Sequence, residues 1–241
     1  MNSRVKLSAR AAICGSYAKI LPLLAAIMLI FALFSVANAA LSRFLPSADK
    51  GILASAAIVT LPVFVAAVSP LCLLLQIKCV CFARGIRRRF NPQISLSDAL
   101  NACDLCVRLF CIKLFWLAVF EALPVFSAFI FAFQIKNEAV SLRAAYAVAA
   151  GLLILAAAGL VFWLIFIQRY SKSMFYLACY GDFSAGDAIR ESVRKAGNNM
   201  AEIFLFKLSF APWLLLCLLV LPAFYVVPYY KQSVTCYFLS R

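Results

Sequence analysis

Five long runs of apolar residues, at 20–41, 52–77, 109–133, 144–168 and 203–227, alternate along the chain with shorter polar and basic stretches. A helix needs roughly 20 residues to cross a hydrocarbon layer of about 30 Å, so each run predicts a membrane-spanning helix. Pro62 and Pro70 interrupt the second run, Pro212 and Pro222 the fifth, and the third carries Lys113 and Glu121 inside it. Apolar residues continue past Pro222. A turn near Leu221-Pro222 would make a sixth span over 222–239 with Lys231 inside it, whereas a fifth span ending near Val227 leaves Lys231 and the C-terminus on the outer side. A lysine at the centre of a span costs about 2.5–3.5 kcal/mol on insertion scales, and the pattern accommodates five spans or six.

The polar stretches have a pattern of their own. From Ser184 to Gly197 the spacing predicts a short amphipathic helix, with Ser184 as N-cap, Asp187 three residues on and Gly197 as the stop. Ala185, Ala188, Ile189, Val193 and Ala196 form its apolar stripe, and Arg190, Glu191, Arg194 and Lys195 lie opposite. A similar helix is expected over 3–14, with Ser3 as cap, Val5, Ala9, Ala12 and Ile13 as stripe, and Arg4, Lys6 and Arg10 opposite. A weaker third copy runs from Ser97 through Asp98 and Cys103 to Val107 and leads directly into the third apolar run without a glycine. Three units of surface helix plus membrane hairpin are therefore expected, in the manner of internally repeated membrane folds. The segments 78–108 and 169–202 read as cytoplasmic connectors between spans. The whole chain, 1–241, reads as one all-α domain: a polytopic integral membrane helical bundle of five or six transmembrane helices with cytoplasmic amphipathic surface helices.

Composition agrees with this reading. Hydrophobic residues make up 66% and charged residues 13%, far from the roughly 45–50% and 25% of soluble domains. Ala37-Asn38-Ala39 looks like a signal-peptidase site, but the preceding run is longer than the roughly 7–15 residues of a signal core, so a retained helix is expected. The net charge of +14 is unevenly placed. Fifteen Lys and Arg fall before the first span, between the second and third and between the fourth and fifth, against four (Arg43, Lys50, Lys136 and Arg143) in the opposite loops. Cytoplasmic loops are the basic ones, which predicts a multi-pass protein of the bacterial inner membrane with its N-terminus in the cytoplasm. Arg84, Arg87, Arg88, Arg89, Arg190, Arg194 and Lys195 are expected to meet anionic lipid headgroups, at about 1 kcal/mol each. Nucleic acid is not an expected partner, because the basic clusters lack stacking aromatics and a soluble domain.

The stretch 168–230 also carries a resemblance. Tyr170, Ser171 and Tyr176, then Ser192, Gly197 and Asn198, then Leu208, Ser209, Phe210 and Trp213, and finally Pro228 and Tyr229 form a pattern that resembles the bacterial integral membrane family catalogued as domain of unknown function 975. Two positions depart from that pattern: no Pro-Gly ends the preceding span, and Asn199 stands where a basic residue would follow Gly-Asn. The family has no assigned activity, so the resemblance implies a membrane architecture and little chemistry.

The absence of histidine removes Ser-His and Cys-His nucleophile pairs and the commonest general base near neutral pH. No Gly-rich phosphate loop or paired acidic motif occurs among nine carboxylates, and a non-catalytic protein without cofactor is expected. Glu121 is the candidate site residue, because an ionised carboxylate in a span usually faces the protein interior or a wet path. Its alternative role is a protonated or interhelix-bonded group that fixes packing. Lys113, about 12 Å away along the helix axis, is too far to pair with it, and Lys207 is a partner only at matching depth. Cys79, Cys81, Cys103 and Cys106 could form a four-thiolate zinc site, yet their spacing is poor for one, and small apolar fillers in a reducing compartment are the reading preferred. An accessory or scaffold role, with a membrane protein partner or a second copy, is expected; a small-solute or ion transporter using Glu121 is the alternative.

Overall fold

The computed structural model describes residues 2–14, 17–44, 50–85, 94–136, 142–217 and 220–240, and these are helical with no strand among them. Among the described residues, four stretches are long and apolar enough to cross a membrane: Tyr17–Ala37, Pro62–Ala83, Leu96–Phe133 and Tyr146–Cys179. They fall on the first four apolar runs. The helices that carry them are α2 (Tyr17–Phe44), α3 (Lys50–Ala83), α4 (Leu96–Lys136) and α5 (Leu142–Phe166), preceded by the short α1 (Asn2–Ile13).

The fifth run is not a single helix. It is divided into α8 (Met200–Leu208), α9 (Ala211–Leu216) and α10 (Val220–Leu239), which follow α6 (Ser173–Cys179) and α7 (Ala185–Ala196). Pro212 accounts for the first break: its ring excludes the carbonyl four residues back, that of Leu208, and it has no N–H to offer. Pro222 falls in the first turn of α10, where a missing N–H costs nothing.

The third polar stretch leads directly into the third span, as its lack of a glycine implies: residues 97–107 are the start of α4, which runs unbroken for 41 residues, about 60 Å. Nothing between Val107 and Leu109 could stop it. Its cap is Ser95: the Ser95 hydroxyl accepts from the Asp98 amide at 3.2 Å, and the Asp98 carboxylate accepts from the Ser95 amide at 3.1 Å. Such reciprocal bonding satisfies two donors that a helix start leaves open. In α7 the Ser184 hydroxyl likewise accepts from the Asp187 amide at 3.2 Å. The two capping sequences, Ser95-Leu-Ser-Asp-Ala-Leu and Ser184-Ala-Gly-Asp-Ala-Ile, share a Ser-x-x-Asp-Ala-apolar pattern. Gly197, at φ 40, ends α7 as expected.

Three prolines inside helices, Pro228, Pro70 and Pro124, free carbonyls that other elements approach. Pro228 in α10 leaves the Phe224 carbonyl without its helical donor, and the Tyr17 hydroxyl donates to that carbonyl. Pro70 in α3 frees the Ala66 carbonyl, against which the Cys103 thiol of α4 lies at 3.9 Å. Pro124 in α4 frees the Phe120 carbonyl, and α5 crosses there at Gly159. A Cβ on Gly159 would stand 3.1 Å from that oxygen and 3.2 Å from Glu121 Oε1, so a larger residue would have to push the two helices apart by a few tenths of an ångström.

α2 pairs with α3, and α4 with α5, as two hairpins. The short helices pack around one end of α3. Their shared core draws Val5 from α1, Leu73 and Val80 from α3, Ala102 and Leu105 from α4, Phe175 from α6, Ala188 from α7, Phe206 from α8 and Tyr237 from α10. Two buried amides tie α3 to α10: Gln76 donates to the Thr235 hydroxyl at 3.0 Å, and Gln232 to the Cys79 carbonyl at 3.1 Å. A second cluster joins Ile20, Leu23 and Ile27 to Leu75, Cys79 and Phe82. Away from this core the hairpins turn large apolar side chains outward, among them Phe31, Leu114, Phe126, Phe129, Leu153 and Phe162.

A lysine-lined cavity as candidate functional site

The end of α5 does not continue straight into α6. Residues Ile167–Tyr170 tighten into a 3-10 turn, and Ser192 of α7 holds the turn from outside. Its buried hydroxyl donates to the Arg169 carbonyl at 2.7 Å and accepts from the Lys172 amide at 3.2 Å. On the α4 side the Trp116 indole donates to the Tyr170 hydroxyl at 3.2 Å, and Trp163 donates to the Lys113 carbonyl at 3.0 Å. The turn is thus fixed from two directions.

This arrangement leaves a cavity of about 290 Å³ between α4, the turn, α6 and α8, lined by Leu109, Lys113, Ile167, Gln168, Tyr170, Ser171, Met174 and Lys207. Lys207 donates to the Gln168 side-chain oxygen at 2.8 Å, and the Gln168 amide nitrogen is anchored on the Leu164 carbonyl at 2.9 Å. No carboxylate among the described residues pairs with Lys113 or Lys207. The Ser171 hydroxyl oxygen is buried without a hydrogen-bond partner. A third lysine, Lys231 of α10, is near enough to act electrostatically on both cavity lysines.

Lys113, expected to lie too far from Glu121 to pair with it, and Lys207, expected as its partner only at matching depth, instead line this cavity together. Glu121 lies elsewhere, beside Gly159, on the edge of an apolar groove of about 410 Å³ with Pro124, Ala128, Leu152 and Ala156. Its Oε1 is buried and without a partner. Of the residues in the cavity, Gln168 was overlooked in the sequence, although an amide closing a charge-free apolar run is a visible signal.

The other expected positions separate into two groups. Arg190, Arg194 and Lys195 are exposed on α7. Arg194 bonds Glu191 at 2.8 Å, and that hydrogen bond holds the Glu191 carboxyl below its usual range. Arg84 reaches the Cys179 sulfur at 3.8 Å, while Arg87, Arg88 and Arg89 lie outside the described residues. The resemblance positions are mostly structural in placement. Tyr176 and Phe210 are buried in the core, Pro228 is buried, Ser209 donates to the Phe206 carbonyl at 2.6 Å, and Asn198 follows Gly197 in a 3-10 turn. Trp213 and Tyr229 line a separate cavity of about 260 Å³ with Arg10, Tyr225 and Val226.

The cysteines considered for zinc are dispersed: Cys79 is buried against the α2 cluster, and Cys103 is 2.8 Å from the Ser69 hydroxyl. Among the described residues no three of His, Cys, Asp and Glu come together in a way that could hold a metal ion. Comparison with family models, curated proteins and solved structures finds no match for this chain.

Proposed function

We propose that the chain is a non-catalytic, multi-pass protein of the bacterial inner membrane, with its N-terminus and α7 on the cytoplasmic side, and that it serves as an accessory or scaffold protein for another membrane protein or a second copy of itself. The observation that carries the reading is the outward-facing apolar surface of the two hairpins, which includes Phe115, Leu123, Phe126, Phe129, Leu153 and Phe162. Apolar area of this extent belongs in lipid or against another protein. The resemblance over 168–230 to domain of unknown function 975 agrees with this reading. In it, the exposed basic residues of α7 face anionic headgroups or an acidic partner surface.

A small-solute transporter is the second reading, favoured by the buried, unpartnered Oε1 of Glu121 at the edge of its groove. One experiment separates the two. The protein is purified from its native membrane by a tag, as wild type, with Arg190, Arg194 and Lys195 changed to Glu, and as Glu121→Gln. An accessory protein brings down a stoichiometric partner that the charge reversal loses and Glu121→Gln retains. Recovery of the wild type without any protein partner or second copy would count against the scaffold reading and send attention to Glu121.

A further inference from the structure

We propose that the cavity between α4, the 3-10 turn, α6 and α8 binds a phosphate group, with Lys113 and Lys207 as its cations. Two ammonium groups line the same cavity without a carboxylate between them. Their mutual repulsion is strong where water is sparse, and a bound anion converts it to attraction. Lys231 adds a third positive charge nearby. The charge pattern therefore selects an anion.

The neutral donors indicate which anion. The buried Ser171 hydroxyl has no partner inside the protein and lines the cavity, and buried polar groups in native structures nearly always have one. Tyr170 already accepts from Trp116, which leaves its own proton free to donate. Gln168 is a positioning residue: it is held on the Leu164 carbonyl and keeps the Lys207 ammonium at the cavity. Two cations and two hydroxyls make up a donor set for an oxygen-rich anion, and phosphate offers more acceptor oxygens than a carboxylate. The apolar walls given by Leu109 and Met174 suit the organic part of a phosphate ester. That phosphate could come from an anionic phospholipid headgroup or from a free phosphorylated solute. Only the lipid source depends on the membrane reading above.

The test uses the full chain in neutral detergent, with native mass spectrometry and thermal unfolding as readouts. The probes are phosphatidylglycerol, a diacylglycerol glycolipid without phosphate, and inorganic phosphate. One phosphate-bearing molecule should bind the wild type, and Lys113→Gln and Lys207→Gln should each weaken binding by about tenfold, as expected for loss of a charge-assisted hydrogen bond. Preference for phosphatidylglycerol without a response to inorganic phosphate identifies the headgroup source; stabilisation by inorganic phosphate identifies the solute source. Should Lys207→Gln fail to fold, Lys113→Gln and Ser171→Ala decide, each with unchanged ligand-free unfolding and weaker binding. The proposal is overturned by the absence of binding, by glycolipid binding as tight as phosphatidylglycerol, or by lysine variants that bind like the wild type. A chain that stays soluble without detergent would sink the membrane reading alone, with the inorganic phosphate arm still able to judge the cavity.

Discussion

Ser192 is a small polar residue on a helix face otherwise lined by alanine, and it is fully buried. Its hydroxyl bonds the Arg169 carbonyl and the Lys172 amide across the 3-10 turn, so Ser192→Ala removes one partner from each of two backbone groups. The expected cost is about 1–3 kcal/mol, read from thermal unfolding in detergent. Ser192→Cys keeps the volume with a weaker hydrogen bond and should fall between the two. Equal unfolding of all three would deny the hydroxyl any structural role. The sequence made Ser192 visible as part of a resemblance and gave no role for it, because both of its partners lie in a turn about twenty residues away. The lysines were similarly half legible. Lys113 and Lys207 stand out as charges within apolar runs, but their common cavity arises from how α4 and α8 pack against the 3-10 turn, and local periodicity carries no such information.

Pro70 of α3, Pro124 of α4 and Pro228 of α10 each lie well inside a helix, and each marks a place where another helix comes close. Tyr17 makes this testable. Its hydroxyl donates to the Phe224 carbonyl that Pro228 deprives of an internal donor. Tyr17→Phe should therefore cost about 1 kcal/mol in the wild type. In a Pro228→Ala background the restored amide satisfies that carbonyl, and the same Tyr17→Phe change should cost measurably less. A double-mutant cycle on unfolding free energy reads the coupling; a zero coupling term would refute the link. The prolines were plain in the sequence, and the break at Pro212 follows from one of them. Their donors were not, since Tyr17 is separated from Phe224 by 207 positions. Caps were the most legible elements. Ser184 and Gly197 bound α7 as their residue types require, and the same Ser-x-x-Asp spacing marks Ser95 as the cap of α4.

For the whole molecule, the two hairpins expose large apolar side chains while the short helices gather with one end of α3 in a shared core. The first four apolar runs were readable because each is long, uniform and bounded by charge. The last could not be resolved from its length, because Pro212 and Pro222 lie inside a stretch of sufficient overall hydropathy. Orientation is the property that the charge count predicts. A protease-cleavable tag placed before Met1 should be cut in inverted membrane vesicles and protected in intact spheroplasts. Cutting in the spheroplasts would reverse the assignment and move α7 to the outer face.

The amide bonds between α3 and α10 also set a timetable. Gln76 reaches Thr235 over 159 positions and Cys79 reaches Gln232 over 153. At the roughly 5–20 residues per second of bacterial and eukaryotic synthesis, α3 emerges about 8–30 s before the helix that satisfies it. During that interval Gln76 and the apolar face of α1 are without the neighbour they have in the finished protein. The nascent chain is therefore most vulnerable late in translation, when a chaperone or insertase that shields α1 and α3 would have the most to protect.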